Sequence, residues 1–247
     1  MRIHVTGATG FLGSELLRRR PDGSGQRVEV RDASAVLGLF RELRPDVVIH
    51  TAYRQDGEGA REIVVDGSEH VATAAAAVGA RLVHNSTDVV FDGRKGGPYV
   101  EDDPPSPCTG YGRAKADAEA RVAAAAPEAL IVRTSLILGG PGHEPSKHEL
   151  VAQDPAATFY SDEIRSPILV ADLAEAVLEL AGLQLSGPIH VAGADDLSRA
   201  DLAELVTGKA VRRSAAPPGR PLDCALDSSR AHGLLRTRLR GVRTVFA

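Results

Sequence analysis

Ile3-His4-Val5-Thr6-Gly7-Ala8-Thr9-Gly10-Phe11-Leu12-Gly13 is the stretch whose reading decides the fold. Residues 3–6 read as a short buried strand, and residues 11–20 as a helix. Between them, glycines recur at every third position. One glycine permits the tight turn, the next lets backbone approach a pyrophosphate, and the third lets the helix pack on the strand. The phosphate then meets free N–H groups and the positive end of the helix dipole. A strand, this loop and a helix in that order point to a nicotinamide dinucleotide, NADH or NADPH. Gly7, Thr9, Gly10, Phe11, Leu12 and Gly13 are its candidate ligands.

The rest of the chain repeats the strand–helix rhythm. Strands are expected at residues 27–30, 46–50, 81–84 and 129–133, and helices at 34–44, 59–78 and 111–126. Such alternation builds βαβ units and a parallel sheet covered on both faces. The predicted class is therefore α/β: a Rossmann-type doubly wound parallel sheet with a small, irregular C-terminal substrate-binding lobe. Residues 1–135 form the NAD(P)-binding core in this reading. Residues 136–247 form the lobe, interleaved with the last core elements: helices at 170–181 and 198–206 and a strand at 188–191. Residues 136–167 read as Gly-, Pro- and His-rich loops, and the tail from Arg212 as irregular.

Bulk properties narrow the function. The chain has 247 residues, is 43% hydrophobic and carries a net charge of −4. No basic stripe suggests nucleic acid. Cys108 and Cys224 form no CxxC pair, which disfavours zinc-ribbon and thioredoxin chemistry. The N-terminus is too short and too soon broken by glycine for a signal peptide. No run approaches the ~20 apolar residues of a membrane span. A cytoplasmic protein is expected, with no membrane or nucleic-acid partner. Its partner is a small-molecule substrate, and either a monomer or a homodimer suits the sequence.

Tyr111-Gly112-Arg113-Ala114-Lys115 sets a phenol and an ammonium four residues apart, on one helix face. The ammonium favours the phenolate and so lowers the tyrosine pKa. Tyr111 then becomes a proton donor or acceptor for a carbonyl or alcohol oxygen. Ser86-Thr87-Asp88 follows a strand and offers hydroxyls for the same oxygen.

Together these segments resemble the extended short-chain dehydrogenase/reductase superfamily. Within it, the likeness is to dTDP-4-dehydrorhamnose reductases and their sugar-nucleotide-binding relatives. Ser86-Thr87-Asp88-Val89-Val90-Phe91-Asp92-Gly93 is close to the family's STDYVFDG. Gly97-Pro98-Tyr99-Val100-Glu101-Asp102-Asp103 precedes Tyr111 at the family's distance, and Arg133-Thr134-Ser135 follows on the next strand. Ser166-Pro167, Arg220-Pro221 and Leu226-Asp227-Ser228-Ser229 match weaker signatures. The resemblance implies that Thr87, Tyr111 and Lys115 are catalytic and that Lys115 also holds the nicotinamide ribose. It implies that Thr51, Ala52 and Tyr53 line the ribose side. Asp88, Val89, Leu136, Arg165 and Arg220 become candidates for the substrate. Arg220 is the guanidinium suited to a diphosphate. The implied reaction reduces a keto group of a nucleotide-sugar, with Tyr111 as the acid. A regulatory subunit that binds NAD(P) without turnover, and a reductase of a non-sugar ketone, are the alternatives.

The chain departs from the family in four places. The segment between the first helix and Arg44 is short. Asp32 there suits a ribose 2′-hydroxyl and Arg27 or Arg31 a 2′-phosphate, so NADH and NADPH both stay open. Asp66 stands where the family tends to have Asn. Leu136 stands where the reductases commonly carry Trp, a residue this chain lacks. The segment around Asp162-Glu163-Ile164-Arg165 follows the family only in part. His143-Glu144-Pro145-Ser146-Lys147-His148 is HExxxH rather than HExxH, and Pro145 opposes a helix, so no metal site is expected. It reads as a loop over the substrate. His50, His84 and His190 read as buried, hydrogen-bonded histidines.

Overall fold

The computed structural model describes residues 1–246. The first elements are β1 (Ile3–Thr6), α1 (Phe11–Arg19), α2 (Ala33–Leu43) and β2 (Val47–His50). Next come α3 (Ala60–Val64), α4 (Asp66–Ala77), β3 (Arg81–Thr87), α5 (Gly110–Ala125) and β4 (Leu130–Thr134). The rest are β5 (Ile137–Leu138), α6 (Lys147–Ala152), β6 (Thr158–Tyr160), β7 (Ile164–Arg165), β8 (Ile168–Leu169), α7 (Val170–Ala181), β9 (Gly187–His190), β10 (Leu197–Ser198), α8 (Arg199–Thr207), β11 (Arg212–Ser214) and α9 (Ser229–Leu234).

A five-stranded sheet runs β1-β2-β3-β4-β9, with β1, β2 and β3 in parallel register. This is the expected α/β, Rossmann-type arrangement. β1, β2 and β4 bury every residue, as strands covered on both faces must. In α2, Val36, Leu39 and Phe40 are buried at helical spacing. Full burial of a side chain such as Phe40 is worth roughly 1.5–3 kcal/mol. Asp32 caps α2 by accepting from Ala35 N at 3.0 Å, and Arg44 ends it in the left-handed region at φ 46°. Pro45 follows and cannot continue a helix.

The chain divides into two compact units. The first comprises Met1–Ser86, Gly110–Val132 and Val177–Ile189; the second comprises Thr87–Thr109, Arg133–Ala176 and the chain from His190 on. The first unit packs α2, α4 and α5 over the sheet around Phe40, Val48, Val71 and Ile131. The second has an apolar cluster of Leu138, Leu169, Leu197, Leu202 and Val242. Its short strands pair as β5 with β8 and β6 with β11, both parallel, and β7 with β10, antiparallel.

Three expectations are corrected. No strand forms at residues 27–30. The flank of β1 keeps one bridge, His4 with Ser24, and the following segment is held by side chains instead. Val30 is buried against Gly67, where a Cβ would come within 2.7 Å of its methyl, and its carbonyl meets His70 Nδ1 at 3.0 Å. The helix expected at 59–78 is broken at Val65, whose ψ is −65°. Ile63-Val64-Val65 puts three β-branched residues in a row there, and these crowd the preceding turn. Residues 136–167 are not all loop. They hold α6, closed by a reciprocal capping box between Ser146 and Glu149, and three short strands.

Candidate active site

The glycine loop has the geometry its spacing implies. Gly7 takes φ 71°, and a Cβ there would lie 2.7 Å from Ala52 N. The loop therefore lies directly against Thr51 and Ala52 beyond β2, and Thr51 Oγ1 donates to the Thr6 carbonyl at 2.8 Å. A Cβ on Gly13 would lie 2.2 Å from Gly7 O, so α1 seats on the loop only with glycine there. The first helical bond of α1 runs from Ser14 N to Gly10 O at 2.9 Å. Phe11, Leu12 and Gly13 are left with N–H groups that have no acceptor within the helix. No side chain caps this end and no acidic residue occupies its first turn. Thr9 and Gly10 are exposed beside it. These residues fit a dinucleotide pyrophosphate. Arg31 is exposed and paired with Glu29 at 2.8 Å, while Asp32 is engaged as the α2 cap.

In the same unit α5 carries Tyr111 and Lys115 one turn apart. Tyr111 is half-buried, with the exposed ring of Tyr53 6.2 Å away, centroid to centroid. Lys115 is 4% exposed, and its Nζ donates to the Asn85 carbonyl at 2.6 Å. Burial pushes the ammonium down to about 8, and the nearby Glu119 carboxylate opposes that fall. Beneath it, His50 and His84 stack with centroids 5.3 Å apart. Ser68 Oγ donates to Val64 O at 2.6 Å. It therefore accepts from His50 Nε2 at 3.1 Å, and His50 Nδ1 accepts from Thr6 Oγ1 at 2.6 Å. Burial, and secondarily Lys115, hold His50 neutral down to about 3. His84 departs from expectation: it is buried, but neither ring nitrogen has a hydrogen-bond partner. Its pKa is driven well below the usual histidine value by the same burial and by the charge of Lys115. The His190 ring bonds through Nδ1, to Tyr99 O at 3.1 Å, while its Nε2 has no partner.

The second unit begins at Thr87, the last residue of β3. Thr87 Oγ1 donates to Asp88 Oδ1 at 3.1 Å, and Ser135 Oγ donates to Asp88 Oδ2 at 2.6 Å. Arg165 Nε lies 3.6 Å from the same carboxylate. Burial nonetheless raises the Asp88 pKa, outweighing Arg165 and the two hydroxyls. Arg165 is 3% exposed, and its guanidinium also donates to the carbonyls of Ile164, Pro221 and Leu222. Arg220, by contrast, has an exposed side chain. It pairs with buried Glu163 and lies over the Tyr160 ring, 4.9 Å from the centroid. Val89 and Leu136 are half-buried, Leu136 against the Leu138 cluster. His148 lies on α6 but His143 precedes its cap, and His148 Nδ1 faces Arg199 at 3.3 Å. Among the described residues no group of three metal-ligating side chains converges, and no helix is long and apolar enough to cross a membrane.

One contact escaped the sequence reading. Glu119 is 6% exposed and accepts a hydrogen bond from Ser86 Oγ. Lys115-Ala116-Asp117-Ala118-Glu119 holds two acids, of which Asp117 is exposed and paired with Arg61. The i,i+4 spacing from Lys115 was the available signal.

The RmlD substrate binding domain model matches residues 1–231. The chain belongs to that family. It is an NAD(P)-dependent oxidoreductase of the extended short-chain type. A dTDP-4-dehydrorhamnose reductase of Mycobacterium tuberculosis is 37% identical over 227 residues, 83% of this chain and 74% of that protein. Among solved structures, a hypothetical dTDP-4-dehydrorhamnose reductase from Sulfolobus tokodaii superposes with a TM-score of 0.83 at 32% identity, covering 97% of both chains. The Bacillus anthracis dTDP-4-dehydrorhamnose reductase, solved in complex with NADP, gives a TM-score of 0.83 at 26% identity, covering 99% of this chain and 95% of that one.

Proposed function

We propose that this reductase transfers a hydride from NADPH or NADH to a keto group of a nucleotide-linked sugar. The observation that carries the reading is the Tyr111–Lys115 pair on α5, with Lys115 buried and bonded to the Asn85 carbonyl. The uncapped start of α1 and the Gly7–Gly13 cradle support the cofactor. The 37% identity to a protein named dTDP-4-dehydrorhamnose reductase supports the substrate class.

A bound nicotinamide supplies the hydride. The chain's own part is to orient the ketone and to deliver a proton. Tyr111 Oη gives its proton to the ketone oxygen as the carbon is reduced. Lys115 stabilises the phenolate left behind, which makes that transfer easier. Thr87 is the hydroxyl that orients the ketone oxygen. Arg220 is the guanidinium for the substrate diphosphate, since its side chain is exposed whereas that of Arg165 is spent on internal partners. Asp88, Val89 and Leu136 are the further substrate contacts in this reading.

The test follows absorbance loss of NADPH, and separately NADH, with a dTDP-4-keto-6-deoxysugar and with simple ketones. Turnover of the sugar nucleotide alone supports the reading. Absence of turnover with either cofactor, in a protein that binds them, would refute it and favour a regulatory role.

A further inference from the structure

Lys115 is a buried cation whose neighbours can be enumerated. From β2 it is faced by His50, from β3 by His84 and the Asn85 carbonyl, and from α5 by Glu119, with Tyr111 one turn before it on the same helix. Both histidines are held neutral. The charged residues of α3 and α4 that meet α5 are committed elsewhere. Arg61 pairs with Asp117 at 2.6 Å, and Asp66 and Glu69 pair with Arg121 at 3.0 and 2.6 Å, all on exposed side chains. Glu119 is thus the carboxylate that acts on Lys115 among the described residues. It also reaches β3. Lys115 bonds the Asn85 carbonyl and Glu119 accepts from Ser86 Oγ, so two residues one turn apart on α5 grip two consecutive residues of β3.

We propose that Glu119 is a positioning residue of the reductase site: its buried carboxylate keeps Lys115 in the ammonium form and, through Ser86, ties α5 to the end of β3. The catalytic consequence rests on the reading of Tyr111 and Lys115 given above; the charge relation does not. Burying an ammonium among neutral imidazoles favours its loss of a proton, and a carboxylate at i,i+4 opposes this. Without that carboxylate, Lys115 loses its charge at a lower pH, and with it the means to stabilise a Tyr111 phenolate.

The chain has four lysines, Lys95, Lys115, Lys147 and Lys209, so a pH titration of lysine carbon resonances in the full-length protein is tractable. Lys115 is expected to titrate lowest of the four. Glu119→Gln keeps an acceptor for Ser86 but removes the charge. It is expected to lower the Lys115 midpoint by about one pH unit, a tenfold change in proton affinity. A folded Glu119→Gln protein in which Lys115 titrates as in wild type would overturn the proposal, even with a lowered Tm, because that pattern marks packing alone. If Glu119→Gln does not fold, Glu119→Asp withdraws the carboxylate by one methylene. It must also lower the midpoint, and an unchanged midpoint again overturns the idea. The titration needs no substrate, so failure to reduce a keto-sugar would sink the proposed function and leave this result standing.

Discussion

Glu119 of α5 accepts a hydrogen bond from Ser86 Oγ of β3, one turn beyond the point where Lys115 donates to the Asn85 carbonyl. Polar contacts therefore tie α5 to β3, while Ala114 and Ala118 of the same helix pack on Val64 and Val65 at the end of α3. This matters for the chemistry because the lysine is held on one side by a carbonyl and kept charged from the other.

Tyr111→Phe removes the phenolic proton and little else. Turnover is expected to fall by about 10²–10⁴-fold, the usual worth of a general acid. Binding of NADPH or NADH, followed by nicotinamide fluorescence, should be unchanged. Wild-type turnover in this variant would remove Tyr111 from the mechanism.

Gly13→Ala places a methyl 2.2 Å from Gly7 O, against backbone that cannot step aside cheaply. The helix start must shift away from the loop. At least a tenfold loss of cofactor affinity is expected, about 1.4 kcal/mol. Fluorescence titration checks it, and wild-type affinity would show that the pyrophosphate sits elsewhere.

The pH dependence of kcat/KM should show the lysine. Its pKa is lowered to about 8, so the ammonium is present below that pH and lost above it. Activity is expected to decline as pH rises through about 8. For stability the sign is opposite. Between about 8 and the ordinary lysine value of 10.5 the unfolded chain holds the extra proton, so this group adds stability as pH rises across that window. A rate flat to pH 10 would contradict the assigned role of Lys115.

Arg220→Ala should act on binding. The side chain is exposed and not part of the proton-transfer set, so KM for a sugar nucleotide is expected to rise about tenfold with kcat nearly kept. The comparison is with a ketone lacking a diphosphate, whose KM should not move. An equal rise for both would mean a structural role in the Glu163–Tyr160 group.

Acid should destabilise the fold through its buried histidines. Burial lowers His4 to about 4 and His50 and His148 to about 3. Their unfolded values lie near 6.5, so below that pH the unfolded chain binds protons that the folded chain refuses. Stability therefore falls from about pH 6.5 downward, by roughly 1.4 kcal/mol per pH unit for each such group at full slope. Urea midpoints between pH 7 and 4 test this. His148→Gln should flatten the decline, and an unchanged slope would show that His148 charges freely in the folded state.

The sequence by itself determined the class of fold and the family. Gly7 is legible because glycine suits a left-handed turn, Gly13 because only glycine allows so close an approach of helix to loop, and Tyr111 with Lys115 because helical spacing alone puts them on one face. Tertiary structure decided the rest, since burial and distant partners leave no local trace. Residues 27–30 have the alternation of a strand, yet only Val28 and Val30 pack inward and the sheet does not extend to them. Arg165 and Arg220 are both substrate candidates in the sequence, Arg220 the one suited to a diphosphate. Only the fold buries the first among carbonyls and Asp88 and leaves the second exposed beside Glu163. Glu119 looks like a surface acid on an alanine-rich helix, and it is the packing of α5 on β3 that turns it inward to face a lysine one turn away.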